Sequence, residues 1–351
     1  MIHSPEPAAA TPISTVVWVA YIRFHDTMRG QATFFLAHNV VASDTNGGVT
    51  MEQLNVVADA PATSLPSPVV NVASVPQRSP LRYPGGKTWL VPRIQTWLAS
   101  LPARPSRLVE PFAGGGSVSL TAAFEQLVEQ VAMVERDPQV AAVWHTILAG
   151  DAERLARDIA TFVMTPENLA KALEQRSESV YAMAFQTILK NRTNRGGILA
   201  PGAGQIKYGE KGKGIHSRWY PLTISRRILA IAQHRHRLTF VEGDGLEICR
   251  QYAADATTVF FIDPPYTAST KRAGSRLYRY AEIDHEELFR IAAHFAGDFL
   301  MTYDHAGELQ ELAEQYGFDT KLVAMKNAHH AEMTEMLIGR NLDWARRTQT
   351  I

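Results

Sequence analysis

From Leu81 onward, the chain alternates between short apolar runs and longer stretches that carry apolar residues at helical spacing. This alternation predicts an α/β fold, in which helices cover both faces of a mainly parallel sheet. The predicted strands are 107–111, 131–135, 238–242, 259–263, 299–303, 320–325 and 335–339. The predicted helices are 117–129, 138–148, 246–252, 285–296 and 307–316. Because the last two strands follow each other closely, we expect the sheet to end in an antiparallel pair.

One interval interrupts the alternation. About a hundred residues separate the second and third predicted strands, whereas a parallel crossover needs only about a dozen. The first part of the interval, 151–190, has a helical pattern, and the remainder is rich in glycine, asparagine and arginine. We therefore predict an inserted domain over 151–237, within a sheet domain formed by 80–150 and 238–345.

The residues before this alternation have a different character. Residues 59–80 are rich in alanine, proline, serine and valine and carry almost no charge, a composition typical of linkers. No sustained periodicity precedes them. We predict a poorly ordered extension and linker over residues 1–79, with Met28 or Met51 as candidates for the true start.

Composition excludes several classes of protein. The chain has 351 residues, balanced charge and 46% hydrophobic residues, which is typical of globular proteins. The one cysteine, Cys249, excludes an internal disulfide and fits a reducing compartment, so we expect a cytoplasmic protein. No apolar run reaches the roughly 18 residues that cross a bilayer, and the histidines lack zinc-like spacing. We therefore expect neither a membrane nor a metal partner.

Acidic residues stand at or near the ends of four predicted strands: Glu110, Glu135, Asp244 and Asp263. In open parallel sheets, ligands bind outside the carboxyl ends of the strands, so we expect these acids to share one site. The glycines at 114–116 follow the first strand and permit close approach of the backbone to a ligand. Glu135 ends the next strand, where nucleotide-binding sheets place an acid that contacts ribose hydroxyls.

The most unusual strand end is the sequence DPPY at 263–266. The proline after Asp263 disfavours a helical backbone there, and Pro264 and Pro265 have no amide hydrogen. The pattern predicts a carboxylate, a main-chain carbonyl and the Tyr266 ring held rigidly at the edge of the sheet.

An ordered set of motifs resembles one known family. The motifs are RYPGGK (82–87), EPFAGGGS (110–117), DPPY (263–266), FLMTYDH (299–305) and EMLIGRN (335–341). In this order, with a long insert before DPPY, they resemble the α-class DNA adenine-N6 methyltransferases, the Dam-type family, over about residues 80–343. The resemblance implies a Rossmann-like fold with a seven-stranded mixed sheet and S-adenosylmethionine as cofactor. It also implies that the insert is a mostly helical domain for target recognition.

The family's functional positions carry over residue by residue. By resemblance, the cofactor-binding residues are Tyr83, Lys87, Glu110, Phe112, Gly114, Gly116, Glu135, Asp244 and Asp263. The implied catalytic residues are Asp263, Pro264 and Tyr266. The carboxylate of Asp263 and the carbonyl of Pro264 would accept the two hydrogens of the exocyclic amine of adenine. Tyr266 would stack on a base flipped out of the duplex, a contact worth about 1–3 kcal/mol.

The insert is strongly basic in a chain of zero net charge. Between Gln186 and Arg237 there are eleven lysines and arginines and one acid, Glu210, a pattern that indicates phosphate binding. The predicted DNA-binding residues are Lys190, Asn191, Arg192, Arg195, Lys207, Lys211, Lys213 and Arg218. A further basic cluster follows DPPY at 271–279 and is a candidate for a loop that closes on DNA.

Several alternatives stay open from the sequence. The same acceptors would suit cytosine N4, RNA adenine or a glutamine amide, and a catalytically idle DNA-binding module is a rival of another class. The expected partner is double-stranded DNA. A cognate restriction endonuclease is a candidate second partner, and we expect a monomer or weak dimer.

Overall fold

The computed structural model describes residues 74–265, 280, 282–304, 307–326 and 332–347. The predicted extension over 1–79 therefore lies outside the described residues, except for its last six. Tyr266 and the basic cluster at 271–279 also lie outside them, so the roles assigned to them stay predictions.

Seven strands form one mixed sheet in the order β3-β2-β1-β4-β5-β7-β6. The strands are β1 (Arg107–Glu110), β2 (Gln130–Glu135), β3 (Leu238–Glu242), β4 (Thr258–Ile262), β5 (Phe299–Asp304), β6 (Asp319–Lys326) and β7 (Glu332–Gly339). Strands β1 to β5 are parallel, and β7 runs antiparallel to both β5 and β6. The predicted Rossmann-like α/β fold, with its antiparallel end, is confirmed. Because strand order reverses beside β1, the sheet has its topological switch point there.

Helices lie between successive strands from β1 to β6 in the described part of the chain. The described helices are α1 (Val91–Ser100), α2 (Ser117–Phe124), α3 (Pro138–Leu148), α4 (Ala152–Thr161), α5 (Pro166–Glu174), α6 (Val180–Thr193), α7 (Pro221–Gln233), α8 (Gly245–Tyr252), α9 (His285–Ala293), α10 (Gly307–Gln315) and α11 (Asp343–Arg347). Helix α2 ends five residues earlier than predicted. The chain leaves the helical conformation there because Gln126 has a φ of 54°, outside the right-handed region.

Strand β4 shows how the core is divided between the two faces of the sheet. Val259 and Phe261 pack into the apolar cluster on one face, and Phe260 and Ile262 pack into the cluster on the other. All four side chains are buried. The continuous apolar run of β4 is therefore explained by burial on both faces, as is typical of parallel sheets.

The predicted insert consists of α4 to α7 and short 3₁₀ turns. Its helical first part is as predicted, since α4, α5 and α6 occupy 151–190. Helix α6 packs against α3, and α7 packs against α4. Ile188 of α6 and Ile224 of α7 lie in the same apolar cluster as Trp144 of α3, so the insert shares its core with the sheet. Within the part of the chain that the structure describes, none of the helices has the length and hydropathy that a bilayer-spanning segment needs.

Candidate active site

A cavity of about 250 Å³ opens at the carboxyl ends of β1, β2 and β4. Its charged lining residues are mostly acidic: Glu110, Glu135, Asp137, Asp244, Asp263, Glu282 and Asp284, against the two cations Lys87 and Arg136. We call it the acidic cavity. The acids that end four separate strands in the sequence thus meet at one site, at the switch point of the sheet.

The acidic cavity collects most of the residues that resemblance assigned to the cofactor. Tyr83, Lys87, Glu110, Phe112, Gly116, Glu135, Asp244 and Asp263 line it, as do Pro264 and Pro265. Gly114 lies just beneath the lining. Its amide donates to Glu135 Oε2 at 3.0 Å, and its carbonyl accepts from Trp144 Nε1 at 3.0 Å.

Tyr83 and Gly114 are in close contact across the wall of the cavity. A Cβ atom at Gly114 would lie 2.5 Å from Cε1 of the Tyr83 ring, and Gly114 has a φ of +48°. Both facts require glycine at this position. The turn that carries Tyr83 is fixed from behind by the buried side chain of Asn191. Its Oδ1 accepts from Arg82 N at 2.8 Å, and its Nδ2 donates to Arg82 O at 2.7 Å.

Glu135, at the end of β2, is held by backbone amides. Its carboxylate accepts from Gly114 N at 3.0 Å, Arg136 N at 2.8 Å and Asp137 N at 2.9 Å. Burial raises the pKa of Glu135 to about 7, although these donors oppose the shift. The carboxylate is thereby fixed on the rim of the cavity, in the position where dinucleotide-binding sheets hold a ribose-binding acid.

Asp244 follows β3 and caps helix α8. Its Oδ1 accepts from Leu246 N at 2.8 Å. Arg136 Nη1 lies 3.7 Å from Asp244 Oδ2 across the cavity mouth. The side chain therefore lies next to the Glu135 loop, and both can contact the same ligand.

Lys87 forms a buried ion cluster with two carboxylates. Its Nζ lies 2.9 Å from Asp263 Oδ1 and 3.0 Å from Glu335 Oε1, and only 4% of the Lys87 side chain is exposed. Burial by itself would lower the pKa of Lys87, but the charges of Asp263 and Glu335 raise it overall. Thr302 Oγ1 donates to the same Asp263 oxygen at 3.0 Å. These contacts fix the Asp263 carboxylate against the cavity wall.

Glu110, at the end of β1, is the most buried acid of the cavity lining. Its Oε2 accepts from Ser119 N at 2.9 Å. Burial raises the pKa of Glu110 to about 8. The raised pKa favours the protonated form of this side chain, which lowers the negative charge of the cavity lining.

Glu335 and Thr302 were missed from the sequence as site residues. Glu335 is 3% exposed and lies on β7, opposite Asp304 of β5. The available signal was an acid that directly precedes the apolar run at 336–338, since a buried carboxylate almost always has a partner. Thr302 gave no such signal because threonine is common in strands.

The predicted DNA-binding residues divide into two groups. Arg195, Lys207, Lys211 and Lys213 are exposed, and Lys190 and Arg218 are partly exposed. Asn191 and Arg192 are buried, so neither belongs to the exposed basic surface that the other predicted DNA-binding residues form. Helix α6 turns both side chains inward, where Asn191 holds the Tyr83 turn and Arg192 donates to Pro80 O.

Several solved structures are similar to this chain over most of its length, at low identity. The rRNA methyltransferase aviRa from Streptomyces viridochromogenes is 17% identical, with 83% of this chain and 91% of that chain covered at a TM-score of 0.32. Precorrin-6y C5,15-methyltransferase from Geobacter metallireducens is 12% identical. The match covers 70% of this chain and 84% of that chain at a TM-score of 0.31. Spermidine synthase from Thermotoga maritima is 10% identical. The match covers 72% of this chain and 59% of that chain at a TM-score of 0.33.

No curated protein sequence matches the chain at a significant level. A family model does match part of it, described as the D12 class N6 adenine-specific DNA methyltransferases, over residues 83–186. The matched segment contains Tyr83, Lys87, Glu110 and Glu135, whereas the DPPY motif lies beyond it. The adenine-N6 methyltransferase resemblance is thus confirmed for residues 83–186, which match the D12 class N6 adenine-specific DNA methyltransferase family.

Proposed function

We propose that this protein is a site-specific DNA methyltransferase, which transfers a methyl group from S-adenosylmethionine to N6 of an adenine flipped out of duplex DNA. The observation that carries the proposal is the position of Asp263 and Pro264. They lie in the same cavity wall as Glu110 and Glu135, which belong to the segment that matches the D12 class family. A methyl donor and an amine acceptor could therefore meet in one cavity.

The lining of the acidic cavity suits S-adenosylmethionine by charge. Its ring of carboxylates suits a cationic sulfonium, and Glu135 and Asp244 are available to the ribose and adenine groups. Gly114 and Gly116 let the loop after β1 pack closely against the cavity wall, since a Cβ atom there would lie 2.5 Å from the Tyr83 ring and 3.0 Å from Met133 Cε, respectively. When bound, S-adenosylmethionine supplies an electrophilic methyl group.

Asp263 and Pro264 would make the amine of adenine a better nucleophile. The lone pair of this amine is delocalised into the ring, so the nitrogen attacks poorly. The Asp263 carboxylate and the Pro264 carbonyl would accept its two hydrogens and favour a pyramidal nitrogen. The negative charge of Asp263 also stabilises the positive charge that grows on that nitrogen in the transition state. Lys87 and Thr302 hold the carboxylate in place, which avoids reorganisation during the reaction.

Duplex DNA as substrate is supported by the family match and by the basic surface of residues 190–218. Arg195, Lys207, Lys211 and Lys213 are exposed there, and such side chains replace the counterions of the DNA backbone. We infer that residues 151–237 recognise the target, and that 80–150 with 238–345 carries catalysis.

The test is methyl transfer from tritium-labelled S-adenosylmethionine to duplex DNA, followed by analysis of the nucleosides. We expect the label in N6-methyl-2′-deoxyadenosine. Label in 4-methylcytosine, or transfer to RNA alone, would overturn the assignment of the substrate. Single-molecule sequencing of DNA from cells that express the protein would then give the recognition sequence.

A further inference from the structure

A second cavity, of about 390 Å³, lies on the other side of the Tyr83 turn. Five arginines line it, Arg78, Arg82, Arg192, Arg218 and Arg227, and no acidic residue is among its lining residues. We call it the basic cavity. Tyr83, Gly86, Gly115 and Ser117 line both cavities, so the two are separated by little more than one turn of chain.

The five guanidinium groups come from separate parts of the chain and are only partly neutralised. Arg78 pairs with Glu125 at 2.7 Å, and Arg218 pairs with Glu210. Arg227 Nη1 donates to Ser79 O at 2.9 Å, and Arg192 donates to Pro80 O. Five positive charges against these two carboxylates leave three unbalanced.

The arrangement is electrostatically unfavourable without a ligand. Burial, together with the nearby charges of Arg227, Arg82 and Arg218, lowers the pKa of Arg192 to about 9. Burial and the charge of Arg218 also lower the pKa of Arg82. Repulsion between like charges is the opposite of what stabilises a fold, so the cluster indicates an anion-binding role.

Unsatisfied hydrogen-bond donors support the same conclusion. Within the described part of the chain, Nε of Arg78, Nη1 of Arg82 and Nε of Arg192 are buried and have no hydrogen-bond acceptor. Arg192 is 5% exposed, so solvent does not readily replace the missing acceptor. A buried donor without a partner costs free energy, so these three donors add to the cost of grouping the arginines without an anion.

We propose that the basic cavity is a phosphate-binding site. Arginine forks match the geometry of phosphate oxygens, and three unbalanced charges suit a phosphate better than a single carboxylate. The phosphate is carried either by the backbone of DNA or by a small molecule. The DNA source rests on the proposed function. It is favoured because Lys207, Lys211 and Lys213 form an exposed basic surface on the same part of the chain.

The first experiment titrates the full chain with inorganic phosphate by isothermal calorimetry. Arg227→Gln and Arg82→Gln keep a polar side chain and remove the charge, and each should weaken binding by about tenfold or more. The matched control is Arg226→Gln. Arg226 neighbours Arg227 on α7, bonds to Leu222 O at 3.2 Å and lines neither cavity, so its loss should leave phosphate binding unchanged.

The second experiment distinguishes the two sources of phosphate. Duplex DNA affinity is measured over a range of salt concentrations for the same variants, with circular dichroism to verify folding. If a backbone phosphate occupies the cavity, Arg227→Gln should reduce the slope of log DNA affinity against log salt concentration by about the amount that one phosphate contact contributes. Inorganic phosphate should then also compete with DNA. An unchanged salt dependence, with phosphate binding lost, assigns the site to a small molecule.

The proposal would be overturned if the wild-type chain showed no saturable binding of phosphate. It would also be overturned if Arg227→Gln and Arg82→Gln bound phosphate as well as the control Arg226→Gln. Neither experiment measures methyl transfer. Failure of the proposed function would therefore appear as lost or misdirected methylation with phosphate binding intact.

Discussion

The two cavities on either side of the Tyr83 turn have opposite charge and different origins. The acidic cavity collects carboxylates from the ends of neighbouring strands, whereas the basic cavity collects arginines from positions between 78 and 227. The net charge of the whole chain is zero, so composition gives no sign of either site. What separates the charges is the sheet topology on one side and the packing of α6 and α7 on the other.

The two cavities also differ in how their charges are compensated. Glu135 accepts hydrogen bonds from three backbone amides, and Lys87 pairs with both Asp263 and Glu335, which leaves one net negative charge in that cluster. In the basic cavity, three arginine donors have no acceptor among the described residues. The charges of the acidic cavity are therefore held in place by the protein itself, whereas the basic cavity keeps an excess of positive charge. Such a division would suit an enzyme that holds phosphate on one side of a turn and reacts on the other.

The largest effect is expected at the buried cation of the acidic cavity. Lys87→Met leaves Asp263 and Glu335 facing each other without a positive charge between them. Breaking a buried ion cluster in this way should lower the free energy of unfolding by about 3–5 kcal/mol. Urea denaturation measures the change. Lys171→Met, at an exposed position of α5, is the control, and we expect a change within about 0.5 kcal/mol. A similar, small change for both variants would mean that the cluster does not stabilise the site.

Next in size is the loss of the Asp263 carboxylate. If Asp263 activates the amine, Asp263→Ala should lower the rate of methyl transfer by about 100- to 1,000-fold, as when a preorganised charge is removed. DNA affinity should stay nearly the same, since Asp263 lines the acidic cavity and not the basic one. Single-turnover transfer and fluorescence anisotropy measure the two quantities. Full activity of Asp263→Ala would contradict the proposed mechanism. A parallel loss of DNA binding would mean that the two cavities do not act separately.

The acids that line the acidic cavity were predictable from the sequence, but the ion cluster of Lys87 with Asp263 and Glu335 was not. Short apolar strands ending in Glu110, Glu135 and Asp263 specify a sheet edge rich in carboxylates, whatever the details of packing. Glu335 joins them only because β7 lies between β5 and β6, a strand order that periodicity does not encode.

The basic cavity was less predictable for a related reason. The basic stretch in the sequence predicts DNA binding but does not tell which of its residues are exposed. Arg192 and Asn191 are buried because α6 packs behind the Tyr83 turn. Arg78 and Arg82 belong to the same cavity although they lie about a hundred residues earlier in the chain. Only the tertiary fold brings the five arginines together.

A smaller effect concerns the protonation of Glu110. Burial raises its pKa to about 8, above the value near 4.5 expected in the unfolded chain. The folded state therefore binds the proton more tightly, and this stabilisation is present below about pH 4.5 and lost as pH rises towards 8. Glu110→Gln should reduce the decrease in unfolding free energy between pH 6 and pH 8 by about 2–3 kcal/mol. Urea denaturation at both values measures it, and identical pH dependence in the two proteins would contradict a buried, protonated Glu110.

The smallest effect should come from the carboxylate that partly neutralises the basic cavity. Glu210 pairs with Arg218 at the protein surface, with 54% of the Glu210 side chain exposed. Exposed ion pairs contribute at most about 1 kcal/mol, so Glu210→Gln should tighten the binding of inorganic phosphate by no more than about fivefold. Calorimetry in low salt measures the change, and Glu247→Gln, at an exposed position of α8 that lines neither cavity, is the control. Weaker phosphate binding by Glu210→Gln would mean that Glu210 positions Arg218. It would then not compete with the anion for that arginine.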